Sequence, residues 1–320
     1  MNILFLTGHR RSGTTLLGSL LDDVDSLCVF PGDITLLYAY YPNYNNKNYS
    51  FKFKIKKIEK IMNTVLKERE QKTQANLHLK IFVKSFILKI KKENIDNIEK
   101  ILKILVNSYV EFYKTKYDKK KIKYFVFKET SCSHLIFKLK KIFKELKVIH
   151  ILRDPRGIYA SLISGIGNYY KKETDLIMME SMIKRLNIEE QFMNINNKIL
   201  KKNNYKVIKY EELVNNPKQV MTKISNFLSI KYDNKILQPT VLGKRSIGNN
   251  YNVNIELVSK KRKDSWKKNL KNKDIQIIEF FLKSFFHKFK YTKKISKTNL
   301  NDLLSYYNKI NKFFFYFERF

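Results

Sequence analysis

The sequence predicts an α/β fold, a parallel sheet flanked by helices, with a helical insertion and a helical C-terminal tail. Three observations carry that expectation. Residues 3–6 form a short apolar strand that runs into a glycine-bounded loop, 7–13, and then into a helical stretch from 14 to about 21, which is how alternating β and α units open. Apolar strand-like segments at 124–127, 148–152 and 207–210 are separated by helix-length stretches, and such alternation implies parallel strands with right-handed crossovers. The chain has 320 residues, 43% of them hydrophobic, with 9 Gly and 5 Pro. That is enough apolar surface for a core, and it excludes collagen-like, low-complexity and wholly disordered chains.

The elements follow in order. Residues 34–50 are rich in Tyr and Asn without a period and read as loop. From 55 to about 113 the pattern is helical: Ile55, Ile58, Ile61, Met62, Val65 and Leu66 recur at three and four, as do Ile95, Ile98, Leu102, Leu105 and Tyr109. This stretch is expected to be a helical insertion, about 50–120, within a single domain spanning 1–320. A helix from about 134 to 146 joins the strands at 124–127 and 148–152. Further helices start near Pro155, cover about 176–200, and run from 211 to 230 with a break at Pro217. Residues 239–265 read as loop, and the tail, 274–320, as helix.

The net charge is +35, from 64 Lys+Arg against 29 Asp+Glu. Lys is absent from residues 1–46 and then falls between apolar positions at helical spacing, the pattern of solvated helix faces. No zinc-finger or aromatic RNA-binding motif accompanies the charge, so no nucleic-acid partner is expected. The field still attracts anionic ligands. Two cysteines, Cys28 and Cys132, give no disulfide framework. The longest apolar run is six residues, 36–41, against the ~20 that a membrane span needs. A cytoplasmic protein without a membrane span is expected.

Two segments carry chemistry. Gly8-His-Arg-Arg-Ser-Gly13-Thr14-Thr15 places G-x-x-x-x-G between a strand and a helix, where backbone N–H groups and the helix N-terminus cradle an anion. The Lys that follows the second Gly in nucleoside triphosphatases is replaced by Thr14, and the positive charge sits inside the loop at Arg10 and Arg11. The fold class is thus α/β with a P-loop-type parallel sheet. The second segment is VIHILRDPRGIYAS, 148–161. Arg153 follows a buried strand at its carboxyl edge, where ligands of open α/β sheets sit. A metal-binding nucleotidase would want Asp there. Ser161 lies two helical turns further on, and pairing with Asp154 is the purely structural alternative for Arg153.

These two segments, GHRRSGTTLLGSLLD and ILRDPRGIYAS, resemble the cosubstrate-binding segments of sulfotransferases that use 3′-phosphoadenosine 5′-phosphosulfate. IKYEELVNNPKQVMTKISNFLSI, 208–230, resembles the strand-and-helix stretch of the same family, nearest its tyrosylprotein and bacterial branch. The resemblance covers about half the chain. It implies a sulfotransferase that moves a sulfuryl group in line from the phosphosulfate cosubstrate to an acceptor hydroxyl, without a metal. The acceptor is a carbohydrate, peptide tyrosine or small molecule that the motifs do not distinguish. It places Arg11 beside the bridging oxygen, Ser12, Gly13, Thr14 and Thr15 on the 5′-phosphosulfate loop, Arg153 and Ser161 on the 3′-phosphate, and Lys128 as a catalytic Lys. Tyr210 would line the nucleotide, Ser246 would touch it, and one of the Lys residues near Trp266 would contact phosphate.

The family's general base is a Glu, and PGDITLL offers Asp33 one residue away. Asp33 serves either as base or as cap of the following helix. His134 is a second candidate base. Two other classes compete: a P-loop kinase or nucleotidase, and a non-catalytic basic polyanion-binding protein.

Overall fold

The computed structural model describes residues 1–34, 36–40, 49–73, 75–164, 175–201, 203–245, 262–295 and 299–317, without the side chains of Tyr38 and 311–317. Its centre is a sheet of five parallel strands: β1 (Asn2–Thr7), β2 (Leu27–Asp33), β3 (Tyr124–Lys128), β4 (Leu146–Leu152) and β5 (Tyr205–Lys209), in the order β2-β3-β1-β4-β5. β1 is buried from Ile3 to Thr7, as expected of a strand covered on both faces. Strand β2 falls outside the sequence expectation, because its LCVFPGD run carries Pro31 and Gly32, residues that interrupt strand patterns. It tolerates them at the sheet edge, where its pairing with β3 slips between Val29 and Asp33.

The helices are α1 (Thr14–Leu21), α2 (Leu36–Tyr40), α3 (Phe51–Thr73), α4 (Leu79–Lys92), α5 (Ile98–Phe112), α6 (Ile136–Ile142), α7 (Pro155–Ile163), α8 (Asp175–Leu200), α9 (Tyr210–Asn215) and α10 (Pro217–Leu228). They continue as α11 (Trp266–Asn269), α12 (Asn272–Phe281), α13 (Lys283–Lys288) and α14 (Leu300–Phe317). The helix expected over 134–146 is shorter, a 3₁₀ turn at Ser133–Leu135 and then α6. A two-stranded hairpin, β6 (Thr240–Val241) and β7 (Lys244–Arg245), lies in the expected loop.

Strand alternation divides the core. Ile3, Phe5, Cys28, Phe30, Phe125 and Phe127 pack against the insertion helices α3–α5 with α2 and α6, while Leu4, Leu6, Val29, Val126, Ile149 and Ile151 pack against α1, α9 and α10. A third cluster joins α7, α8 and α11–α14. Among the described residues, no helix is long and apolar enough to cross a membrane.

One buried polar cluster joins α8 to the sheet. His150 Nε2 lies 3.8 Å from Glu189 Oε2, and the Tyr205 hydroxyl lies 3.1 Å from His150 Nδ1. Burial pushes the His150 imidazole down to about 3 and the Glu189 carboxyl up to about 8, so at neutral pH both are uncharged. A raised carboxyl pKa contributes stability that is present below the ordinary Glu value and is lost as pH rises through about 8. Glu189→Gln keeps the shape without the titration. The wild-type Tm is therefore expected to fall relative to Glu189→Gln between pH 5 and pH 9 by roughly 5 °C or more. Parallel curves would refute the burial argument.

Candidate active site

The loop after β1 has a shape that its two glycines make possible. Gly8 has φ +151°, and a Cβ there would run into the carbonyl oxygen of Ile151 on β4. Gly13 has φ +100°, and a Cβ there would stand 2.6 Å from Cδ2 of Tyr210. Between them Arg11 is left-handed at φ +72°, a conformation costly for a side chain with a Cβ and most often tolerated at functional sites. The loop closes through Ser12 N–H donating to the His9 carbonyl at 3.0 Å. Gly13 is the N-cap of α1 and offers no side-chain cap, so the first N–H groups of the helix face the loop's concave side.

Ser12 and Thr14 are buried and Thr15 is half-buried. Ser12 Oγ, buried, has no hydrogen-bond partner among the described residues, an unmet donor and acceptor at the mouth of an anion cradle. His9 Nδ1–H donates to the Arg10 carbonyl, 2.7 Å away, and burial pushes its imidazole down to about 3. It shapes the loop as an uncharged ring.

The second segment lies beside the first because β1 and β4 are neighbours. Arg153, at the end of β4, donates from Nη1 to the Arg11 carbonyl at 2.9 Å and from Nη2 to the Arg262 carbonyl at 3.0 Å. Its guanidinium lies 4.5 Å over the Tyr210 ring and against Gly157 of α7. Arg11 Nε donates to Ser161 Oγ at 2.9 Å. Arg11, Ser161, Arg153 and Tyr210 thus form one linked group, with Ser161 bonded to Arg11 rather than to Arg153.

The structural alternative for Arg153 fails. Arg156, not Arg153, takes Asp154 (2.9 and 3.2 Å from Nε) and Glu279 (2.6 Å), beneath the Trp266 ring. Asp154 also caps α7 by accepting from Arg156 N–H. Arg153 is therefore left facing the loop. Arg262, upstream of Trp266, is a neighbour that sequence reasoning missed. Lys263 is held by Asn215 at 3.2 Å and lies 3.5 Å from Asp264. Ser246 lies outside the described residues.

On the other side of β1, Lys128 ends β3 and Asp33 ends β2, and their Cα positions are paired in the sheet. Lys128 is 4% exposed, and its stem passes Gly18 of α1. Its Nζ lies 2.7 Å from Asp33 Oδ2. Asp33 Oδ1 is buried without a hydrogen-bond partner among the described residues, so that oxygen caps no helix N–H among them. His134 sits on the 3₁₀ turn with its ring 6.0 Å from Phe192, and burial with the Arg185 and Lys138 charges pushes its pKa down.

The arrangement gathers positive charge at one edge of the sheet. The glycine-bounded loop, two guanidiniums and a buried lysine line the carboxyl ends of β1, β4 and β3, and one carboxylate stands at the end of β2. Such a set can hold a charged donor, neutralise a departing oxyanion and take a proton from an entering hydroxyl.

Comparison with known proteins gives this edge a context. The model of the sulfotransferase family matches residues 4–234. The sulfotransferase domain from the curacin biosynthetic pathway shares the fold with a TM-score of 0.60 at 18% identity, covering 88% of this chain and 97% of that one. The sulfotransferase domain of the Synechococcus PCC 7002 olefin synthase gives 0.61 at 17% identity, covering 91% and 95%. No curated protein sequence matches the chain.

Proposed function

The chain belongs to the sulfotransferase family, and from that premise we propose that it takes its sulfuryl group from 3′-phosphoadenosine 5′-phosphosulfate and delivers it in line to an acceptor hydroxyl. One observation carries the reading: Arg153 and Arg11 tie the loop after β1 to the end of β4 through direct hydrogen bonds. Two anion pockets on adjacent parallel strands, opening on the same edge, suit one nucleotide with phosphates at both ends. Ser12, Gly13, Thr14 and Thr15 hold the 5′-phosphosulfate, Arg153 and Ser161 read the 3′-phosphate, and Tyr210 supports the Arg153 guanidinium.

In the transfer, the acceptor oxygen forms a bond to sulfur while the bond from sulfur to the bridging phosphate oxygen breaks. The bonding pair leaves with the phosphate. Arg11, Lys128 and the loop N–H groups neutralise that charge where it develops. Asp33 takes the acceptor proton. Its ion pair with Lys128, 2.7 Å long, keeps base and cation together at the ends of β2 and β3.

Thermal shift tests the donor. A saturating ligand that binds only the folded state adds about 2.7 kcal/mol at one hundred times its Kd. 3′-Phosphoadenosine 5′-phosphate is expected to raise Tm by several degrees more than AMP at equal concentration, and Arg153→Ala to erase the difference. Equal shifts with both nucleotides in the wild type would overturn the donor assignment.

A further inference from the structure

Helix α8 is apolar on two sides. Its buried residues, among them Met178, Met182, Leu186 and Met193, join the core. A second apolar stripe stands in solvent: Ile188, Ile195 and Ile199 are 50%, 47% and 40% exposed. With the half-buried Phe192 they occupy positions i, i+4, i+7 and i+11, one side of a helix over about 16 Å. A surface helix ordinarily keeps polar and charged residues there. Helix α6 widens the stripe. Asn196 Nδ2 donates to the Ser133 carbonyl at 2.9 Å, and the His134 ring lies 6.0 Å from that of Phe192. The turn that opens α6 is thereby held against α8, and Phe137, one turn on, is 39% exposed. Single exposed apolar side chains are ordinary, whereas a run of them on adjoining helices marks a contact surface.

The charge around the stripe selects what covers it. Lys184 stands one turn before Ile188, Lys198 beside Ile199, and Lys141 one turn after Phe137. Lys138 Nζ lies 5.9 Å from the Phe137 ring centre. Residues 181–188 and 191–200 of α8 and the whole of α6 contain no Asp or Glu. The intervening carboxylates of α8 turn elsewhere. Glu180 accepts from the Tyr306 hydroxyl at 2.7 Å while pairing with Lys184 at 3.1 Å. Glu189 is buried, and Glu190 accepts from Ser284 at 2.9 Å.

A second copy of the chain would set these lysines against their own kind across a two-fold axis, in a protein of net charge +35. A polyanion without apolar parts would meet the lysines and leave the isoleucines in water. A helical partner is received in a groove, and isoleucines half exposed stand out from the helix rather than line a hollow. An anionic lipid surface meets both features: its headgroup boundary takes the apolar side chains, and its phosphates take the ammonium groups at the ends of their flexible stems.

We infer that the outer face of α8, with Phe137 of α6, is a docking surface for an anionic lipid bilayer. The helix lies along the membrane plane, with Ile188, Ile195, Ile199 and Phe137 at the boundary of headgroups and acyl chains. Lys138, Lys141, Lys184 and Lys198 reach the phosphates. The surface stands apart from the proposed donor site, so its test does not depend on the donor.

Vesicle flotation tests it, on the full chain in about 0.1 M NaCl. The vesicles are phosphatidylcholine alone, or phosphatidylcholine with about a third phosphatidylglycerol. The wild type is expected to bind the anionic vesicles at least about tenfold more tightly than the neutral ones. The triple variant Ile188→Ser/Ile195→Ser/Ile199→Ser is expected to lose about tenfold or more of that binding, and Lys141→Glu/Lys198→Glu a comparable amount. Lys218→Glu/Lys223→Glu makes the same change of charge on α10, across the sheet, and is expected to lose no more than about twofold. Should the serine variant unfold, threonine at the same three positions keeps the branched shape and is read in the same way.

A folded wild type that binds neither vesicle leaves the stripe to a protein partner and overturns the lipid assignment, and equal binding of both vesicles overturns it as well. A serine variant that binds anionic vesicles as the wild type does shows that net charge alone carries the attraction, with the same consequence. Sedimentation supplies the last arm: a dimer at micromolar protein that the serine variant loses would give the stripe to a second copy instead of a membrane.

Discussion

Lys128→Ala is expected to lose about 100-fold or more in kcat while its affinity for 3′-phosphoadenosine 5′-phosphosulfate stays within about threefold, measured by turnover and by calorimetry on the same protein. The reason is where Lys128 stands. It ends β3, one strand from the loop that receives the 5′-phosphosulfate and one strand from Asp33. A cation there meets the charge that develops on the bridging oxygen as the bond to sulfur breaks, and that charge is absent from the bound phosphosulfate in the ground state. In the proposed reading the phosphates of the bound nucleotide are met by the loop, Arg11 and Arg153. Asp33→Asn is expected to match this loss, since the amide can neither take the acceptor proton nor hold the 2.7 Å ion pair in charged form. If both variants lose nucleotide affinity in parallel with kcat, Lys128 belongs to binding or folding instead.

Gly8→Ala is expected to combine the largest loss of stability with the loss of nucleotide binding. Two costs add. An L-residue at φ +151° pays a backbone penalty of about 1–3 kcal/mol, and the new methyl group presses on the Ile151 carbonyl, at about 1–3 kcal/mol for overpacking. Relief requires β4 or the loop to move, and the loop's alignment with Arg153 goes with it. The Tm should fall by roughly 5–15 °C, and nucleotide-dependent stabilisation should vanish. Gly18→Ala is the contrast. On α1 its Cβ would lie 3.8 Å from Leu6 Cδ1 and 4.0 Å from Lys128 Cδ, ordinary contact, and alanine in a helix gains about 0.5–1 kcal/mol over glycine. A Gly8→Ala protein with wild-type Tm and nucleotide binding would show that the loop does not need its backbone path.

Much of the fold is legible in local pattern. β1 and β3 carry unbroken apolar runs, and β4 is apolar but for Lys147 and the buried His150, because parallel strands are covered on both faces. α3, α4 and α5 show apolar residues at three and four because each presents one stripe to the sheet. β2 is hidden because its two strand-breaking residues sit at an irregular edge, where pairing with β3 supplies what propensity withholds. The 3₁₀ turn before α6 is hidden for a related reason: its residues are helical in pattern, and the short span between β3 and β4 decides the length.

The candidate site divides in the same way. Gly8, Arg11, Gly13, Thr14, Arg153 and Ser161 stand in motifs whose spacing is local chemistry: a turn that needs glycine, a helix that begins at that turn, an arginine at a strand's carboxyl end. Those determine, from residues alone, a glycine-bounded loop and an arginine at one edge of an α/β sheet, the basis of the proposed phosphate site. Which guanidinium faces that edge depended on packing, since Asp154 and Glu279 meet Arg156 and release Arg153. The partnership of Asp33 with Lys128 depended on strand order, and the approach of Arg262 on how the chain before Trp266 packs against Arg153. Residues separated by tens of positions meet only when the sheet assembles, and no periodicity along the chain encodes a distance across it.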